Sequence, residues 1–226
     1  MTTPFSAWKE GAKYYGAVFA LGFVVLIALA PSVKALYVAC PIFAVGLAIL
    51  FFFRDPQREI NAEPDEILSP ADGRIVGIED LQGTPYHNGA CTRISIFLSI
   101  FDVHINRAPF NGTVRKVEYR PGQFMSAMNP QSGDCNEANT VWMDTSNGPV
   151  TVRQVAGIIA RRIVCKTSPG SILARGEKFG MIRFGSRTEL YLPCDAEVCV
   201  SVGDTARAGL TVLARFRKGG LRRTPQ

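Results

Sequence analysis

Hydrophobic and polar positions divide this chain into two unlike parts. Between Tyr14 and Phe53 the sequence is almost continuously apolar, in "YYGAVFALGFVVLIALA" and "ALYVACPIFAVGLAILFFF", broken only by Pro31-Ser32-Val33-Lys34. The second run has 19 residues without a charge, close to the roughly 20 that cross a bilayer core. The first, counted from Tyr15, is shorter and marginal. From residue 67 onward the pattern changes to short β-branched runs separated by Gly, Pro, Asn or Asp. "GRIVGIE", "TRISIFLS", "TVRKVEYR", "PVTVRQVAGIIA", "RRIVCK", "GMIRFG", "TELYLP", "AEVCVSVG" and "LTVLARF" each read as strands. No amphipathic helix longer than two turns is expected after residue 60.

The pattern predicts an N-terminal α-helical membrane hairpin over residues 1–53, followed by a mainly β domain over 54–226 built as a compact sandwich or barrel. Lys9 and Lys13 flank the hairpin's start and Arg54 and Arg58 its end. That distribution puts both flanks, and the β domain, on the cytoplasmic side of a cell membrane. A buried helical hairpin and a re-entrant one are the alternatives. A cleaved signal peptide fits poorly, because a second apolar run follows the first at once. "VSVGDTARAGLTVLARF" and "SPADGRIVGI" resemble the strand and turn signatures of barrel-sandwich domains that carry lipoyl or biotinyl groups. No lysine stands at the corresponding hairpin tip.

Charge adds one feature. The net charge is +6, and Arg215, Arg217, Lys218, Arg222 and Arg223 cluster near the C-terminus. Beside a hydrophobic hairpin, an anionic membrane surface suits that tail better than nucleic acid. The six cysteines form no CxxC pair, and His87 and His104 are the two histidines. No metal site is expected from such spacings, and the cysteines read as reduced thiols.

Candidate chemistry lies in a few segments. Asp72 sits in the "PADG" turn. "FLSIFDVHINRAPFNG" brings Asp102, His104, Asn106 and Arg107 within six positions, with alternation placing Asp102, His104 and Asn106 on one face. Asn111-Gly112 next to a β-branched run reads as a hairpin turn. Glu137, Asn139, Arg161 and Arg162 stand beside strands and could line a polar pocket. In "GMIRFGSRTELYLP", Gly185-Ser186 is a turn dipeptide between two strands. It is no hydrolase elbow, because no glycine follows the serine by two and a strand comes next. If Ser186 is a nucleophile, its nearest electrophile is the carbonyl of Gly185.

"SPADGRI", "FLSIFDVHINRAPFNG", "NEANTV", "QVAGIIARRIVC" and "GMIRFGSRTELYLP" occur in an order that resembles short, prokaryotic-type phosphatidylserine decarboxylase proenzymes. The resemblance implies self-cleavage between Gly185 and Ser186, giving a β chain 1–185 and an α chain 186–226 that remain partners. Ser186 would become a covalent pyruvoyl cofactor that forms a Schiff base with phosphatidylserine, and loss of carbon dioxide would yield phosphatidylethanolamine. It implies catalytic roles for Ser186, His104 and Asp72, with Arg107, Asn106 and Asn139 as candidate substrate-binding residues. Family members use an Asp-His-Ser set for cleavage. Where long-form members carry a second histidine, this chain has Arg107, so the base that serves Ser186 stays open between His104 and Asp72. Membrane lipids are the implied partners, nucleic acid is not, and oligomeric state stays open.

Overall fold

A computed structural model describes residues 5–129, 131–158, 162–183 and 185–217. The chain divides into two units, residues 1–57 and 58–226. Arg161 and the basic tail from Lys218 onward lie outside the described residues.

The first unit is a pair of helices, α1 (Ala7–Ala28) and α2 (Lys34–Phe52). The first starts earlier than its apolar run, and its opening turns carry Lys9, Glu10 and Lys13. The helices pack by setting aromatic rings into glycine gaps. Phe43 fills the space beside Gly22 and Phe19 the space beside Gly46, where an added Cβ would stand 2.9 Å and 2.6 Å from the rings. Small residues of this kind let helix backbones approach closely. The outer faces remain apolar and uncovered, with Tyr37 79% and Ile27 77% exposed. Both helices are long and apolar enough to cross a membrane.

Among its described residues the second unit is built of strands and loops, with one short turn of helix, α3 (Ser132–Cys135). Its strands are β1 (Glu66–Leu68), β2 (Gly73–Leu81), β3 (Cys91–Leu98), β4 (Ile105–Arg107), β5 (Gly112–Arg120), β6 (Ala138–Thr145) and β7 (Gly148–Val155). Then come β8 (Ile163–Cys165), β9 (Ile172–Leu173), β10 (Lys178–Ile182), β11 (Ser186–Pro193), β12 (Glu197–Val198), β13 (Thr205–Ala206) and β14 (Val212–Arg215). A curled eight-stranded sheet runs in the order β13-β2-β3-β11-β7-β6-β5-β9. Two three-stranded sheets, β1-β14-β12 and β4-β10-β8, complete the domain. All the pairings are antiparallel.

The mainly β architecture and the helical pair match the sequence expectation, and two segments that resemble carrier barrels meet. Thr205 and Ala206 pair with Arg74 and Gly73, joining the C-terminal turns to the strand after "PADG". Gly203 and Gly209 take φ of +102° and +73° in those turns, a region that favours glycine. Two local expectations differ. Asn111-Gly112 is no hairpin turn, because the preceding β4 and the following β5 belong to different sheets. Its Asn111 side chain instead accepts a hydrogen bond from the Arg175 amide at 2.8 Å. The run "PVTVRQVAGIIA" ends as a strand at Val155.

β11 is central to the large sheet, with β3 on one side and β7 on the other. Residues Ser186 through Leu192 are all buried. Successive side chains of a strand point to opposite faces, so Ser186, Thr188, Leu190 and Leu192 share one row. Leu190 and Leu192 join Ile94, Ile96, Leu98, Val150 and Val152 in the main core. Truncating one of these core leucines or isoleucines to alanine should cost about 2–5 kcal/mol. The serine therefore extends a row that otherwise builds the hydrophobic core.

Candidate active site

Gly185-Ser186 lies where the chain leaves one sheet and enters another. β10 ends at Ile182 in the sheet with β4 and β8, and β11 starts at Ser186 in the large sheet. The pair is thus a sheet-to-sheet crossing, not a hairpin. Gly185 adopts φ +61°, and a Cβ there would meet nothing within 4 Å. Glycine is needed for this backbone conformation rather than for space; an L side chain would cost about 1–2 kcal/mol.

Ser186 is fully buried and registers against Leu98 of β3. Among the described residues its Oγ has no hydrogen-bond partner. A buried hydroxyl left in this way is costly, and a catalytic role is one of the reasons a protein retains one. Gly185 also lines an open, apolar hollow of about 240 Å³ with Phe97, Ser99, Ile100, Ala127 and Ile158.

His104 immediately precedes β4 and is buried. Its backbone carbonyl accepts a hydrogen bond from the Ile182 amide at 3.2 Å, tying it to the end of the strand that leads into Gly185. Its Nδ1 stands 2.9 Å from the Asp102 carbonyl oxygen. A carbonyl can only accept, so Nδ1 carries the proton and, in the neutral ring, Nε2 is the basic nitrogen. The expected same-face partner, the Asp102 carboxylate, is used elsewhere: it accepts from the Ser99 amide at 2.7 Å and closes a turn.

Asp72 is held by three donors. Arg58 supplies Nη1 and Nη2 to its two oxygens at 2.7 Å each, and the Ala208 amide donates at 2.8 Å. It belongs to the same end of the sheet as Ser186, because Arg74 pairs with Phe97 and Phe97 with Arg187.

The two asparagines lie in one buried chain of amides. Asn139 Nδ2 donates to Gln154 Oε1 at 2.9 Å, and Gln154 Nε2 donates to Asn106 Oδ1 at 2.9 Å. Asn106 Nδ2 then donates to Thr188 Oγ1 at 3.1 Å and to the Pro70 carbonyl at 3.3 Å. Thr188 is in the same row of β11 as Ser186, so the network anchors the strand two positions from the candidate nucleophile. Arg107 donates to the Gly176 carbonyl at 2.8 Å and packs against Gly209. Glu137 is buried and Arg162 exposed.

The opposite row of β11 carries charge into the interior. Arg153 Nη1 lies 2.9 Å from Glu189 Oε2, and Arg187 Nη2 lies 2.8 Å from Glu189 Oε1. Tyr191 donates its hydroxyl proton to Glu189 at 2.8 Å. Burial pushes the Glu189 carboxyl up, but the two guanidiniums and the tyrosine outweigh it and hold the group below the usual carboxylate range. The Tyr191 phenol is pushed far up, first by burial and then by the neighbouring carboxylate. Arg153 also donates to the Gly133 carbonyl, and Arg187 Nη1 to the carbonyls of Ala127 and Asn129, each at 3.4 Å. This cluster anchors the loop of Ala127, which lines the open hollow beside Gly185. Sequence reading did not single out Gln154, Thr188, Arg153, Arg187, Glu189 or Gly157, and it took Arg58 as a basic flank of the hairpin, not as the partner of Asp72. The alternation of Arg187 and Glu189 in an otherwise β-forming run was the available signal for the charged cluster.

The sequence profile described as phosphatidylserine decarboxylase matches residues 45–214. A phosphatidylserine decarboxylase proenzyme of Nitrosomonas eutropha is 47% identical over 180 residues, covering 79% of this chain and 83% of its own. One from Ralstonia pickettii is 43% identical over 209 residues, covering 92% of this chain and 94% of its own. A third, from Nitrosomonas europaea, is 42% identical over 209 residues. With the profile spanning most of the chain and the relatives aligned nearly end to end, the chain belongs to the phosphatidylserine decarboxylase family, a family of carboxy-lyases.

Proposed function

We propose that the chain is a self-processing proenzyme that decarboxylates phosphatidylserine to phosphatidylethanolamine at a membrane surface. The observation that carries this reading is the Ser186 hydroxyl: buried, without a hydrogen-bond partner among the described residues, and next to a glycine held at φ +61°.

In the first stage Ser186 Oγ attacks the Gly185 carbonyl carbon while a base takes its proton. The C=O electron pair moves to oxygen and returns as the C–N bond breaks, with the nitrogen taking a proton, so that the amide becomes an ester. Loss of the Ser186 α-proton then expels the Gly185 carboxylate and leaves dehydroalanine. Water adds, ammonia leaves, and a pyruvoyl group caps the chain that begins at position 186. His104 is one candidate base, its basic nitrogen set by the Nδ1–H bond to Asp102. Asp72 is the other, acting once its pairing with Arg58 is released.

The residues present fit a pyruvoyl group at this position. Gly185 and the apolar wall of Phe97, Ile100 and Ile158 border the bond that must be cut. Once formed, the group supplies an electrophile for the substrate amine and a sink for the electrons left by carbon dioxide. The chain's own part is to exclude water through that wall, to hold β11 rigid through Thr188 and the amide network, and to move protons at His104. Asn106, Asn139 and Arg107 serve substrate binding indirectly in this reading, by fixing the strands that frame it. The apolar helices keep the domain beside its lipid substrate, with their basic flanks and the catalytic domain in the cytoplasm.

Intact-mass measurement of the purified protein tests the reading. Two fragments divided after Gly185 are expected, the smaller blocked at its N-terminus by a carbonyl, and Ser186→Ala should stay whole and inactive. A single full-length polypeptide in active material would overturn it. Alkaline carbonate should leave the full chain in the membrane fraction; release into the supernatant would remove the hairpin's proposed role.

A further inference from the structure

The carbonyl oxygen of Gly185 lies against the backbone of Gly157. A side chain begun at Gly157 would place its Cβ 2.0 Å from that oxygen and 3.0 Å from the carbonyl carbon. The oxygen thus occupies the space in which any other residue would begin its side chain. One α-hydrogen of Gly157 points along the same direction, which makes the pair a Cα–H···O contact. The two glycines have different causes. Gly185 is in the left-handed region with open space beside it, whereas Gly157 is outside that region and is crowded.

We propose that Gly157 is a positioning residue for self-cleavage: it is the seat that fixes the Gly185 carbonyl in the orientation that Ser186 attacks. The proposal rests on the self-processing reading above. Attack by a hydroxyl on the preceding carbonyl closes a five-membered ring, so between anchored flanks the face offered to Oγ depends on rotation of the Gly185–Ser186 peptide plane, in which the Gly185 Cα–C and Ser186 N–Cα torsions turn together. Glycine at 185 has no side chain to restrict that rotation. A rigid wall against the oxygen restores the restriction and keeps the carbonyl in a near-attack orientation.

The wall is itself held from behind. Asn136 is fully buried, and its Nδ2 donates to the Ala156 carbonyl, one residue before Gly157, at 2.7 Å. The same side chain donates to the Met125 carbonyl at 2.8 Å and accepts from the Met125 amide at 2.9 Å. The Ala156 amide donates to the Glu137 carbonyl at 2.9 Å. Asn136 therefore staples the loop carrying Ala127 to the end of β7. The Ala127 methyl carbon lies 3.3 Å from where a Gly157 Cβ would begin.

The test follows precursor disappearance on gels in Gly157→Ala, beside wild type and Gly112→Ala. Gly112 is a control for backbone crowding at another site, since a Cβ there would approach the Asp144 carbonyl oxygen to 2.8 Å. Gly157→Ala should process about 10–100-fold more slowly than wild type, with Gly112→Ala close to wild type. Two readouts separate positioning from general damage. The pH profile of the residual processing should keep its wild-type shape, because no titrating group has changed. The fraction of precursor cleaved by hydroxylamine, which traps the ester, should fall in proportion to the rate.

If wild type is never cleaved, the self-processing reading fails. If wild type is cleaved and folded Gly157→Ala keeps pace with it, the seat alone is refuted. Should Gly157→Ala not melt cooperatively, Asn136→Asp decides. It adds no atom near Gly185 but loses both donations from the staple, and processing at the wild-type rate would overturn the proposal.

Discussion

Arg58 grips both carboxylate oxygens of Asp72, each at 2.7 Å, with side chains only 8% and 12% exposed. Breaking a largely buried pair from one side strands the other charge, which typically costs about 3–5 kcal/mol. Arg58→Gln should lower stability by an amount in that range in urea unfolding. Asp72→Asn introduced into Arg58→Gln should recover part of the loss, because the carboxylate is then gone. Equal stabilities for Arg58→Gln and wild type would show that the pair contributes nothing.

His104 has its tautomer set by the Asp102 carbonyl, so its contribution is separable from that of Asp72. Removing a general base typically slows a step by about 10²–10⁴-fold. His104→Ala should therefore leave a precursor that accumulates over the time in which wild type is fully cut. If His104→Ala and Asp72→Asn both process at the normal rate, neither residue is the base for Ser186.

The amide chain from Asn139 through Gln154 and Asn106 to Thr188 should behave as a unit. Gln154→Leu leaves Asn106 Oδ1 and Asn139 Nδ2 without their partners, a loss of about 1–3 kcal/mol for each group stranded. Adding Asn106→Leu to it should cost less than the sum of the two single changes. Strict additivity in thermal or urea unfolding would show that the groups act independently.

Acid should weaken the domain through Glu189. Its folded pKa is lowered, so its contribution to stability is complete above the ordinary carboxylate value. That contribution is lost as pH falls from there through the folded value, because the unfolded chain takes up the proton first. Glu189→Gln should be less stable than wild type at neutral pH and should show a flatter acid limb. An identical acid limb in both proteins would remove Glu189 as its cause.

The sequence makes the helical pair, most long strands and the placing of Gly185-Ser186 between two strands legible for simple reasons. Apolar length marks α1 and α2, and β-branched runs between turn residues mark β2, β3, β5 and β11. Short strands such as β4, β9 and β13 escape, because two or three residues carry no period and are held by partners distant in sequence. The same limit hides the site's supports. Gly157 reads as one more glycine after a strand, and only its approach to Gly185 gives it meaning. Gln154 and Glu189 look like solvent-facing positions of alternating strands, yet both rows are buried along β11 and along β7 from Val150 to Val155. Arg107, a candidate for substrate binding, donates to the backbone carbonyl of Gly176, a partner distant in sequence.

The crossing between β10 and β11 has a consequence for the proposed cleavage. The fragment beginning at residue 186 owns the middle strand of the large sheet, clasped by β3 and β7 from the other fragment. It also supplies β13 to β2 and β14 to β1. Scission there would sever a connector and none of these pairings, so the two polypeptides would stay interlocked through the sheets. The new chain end would then be no loose terminus but the first residue of a strand paired on both sides, with β3 and with β7.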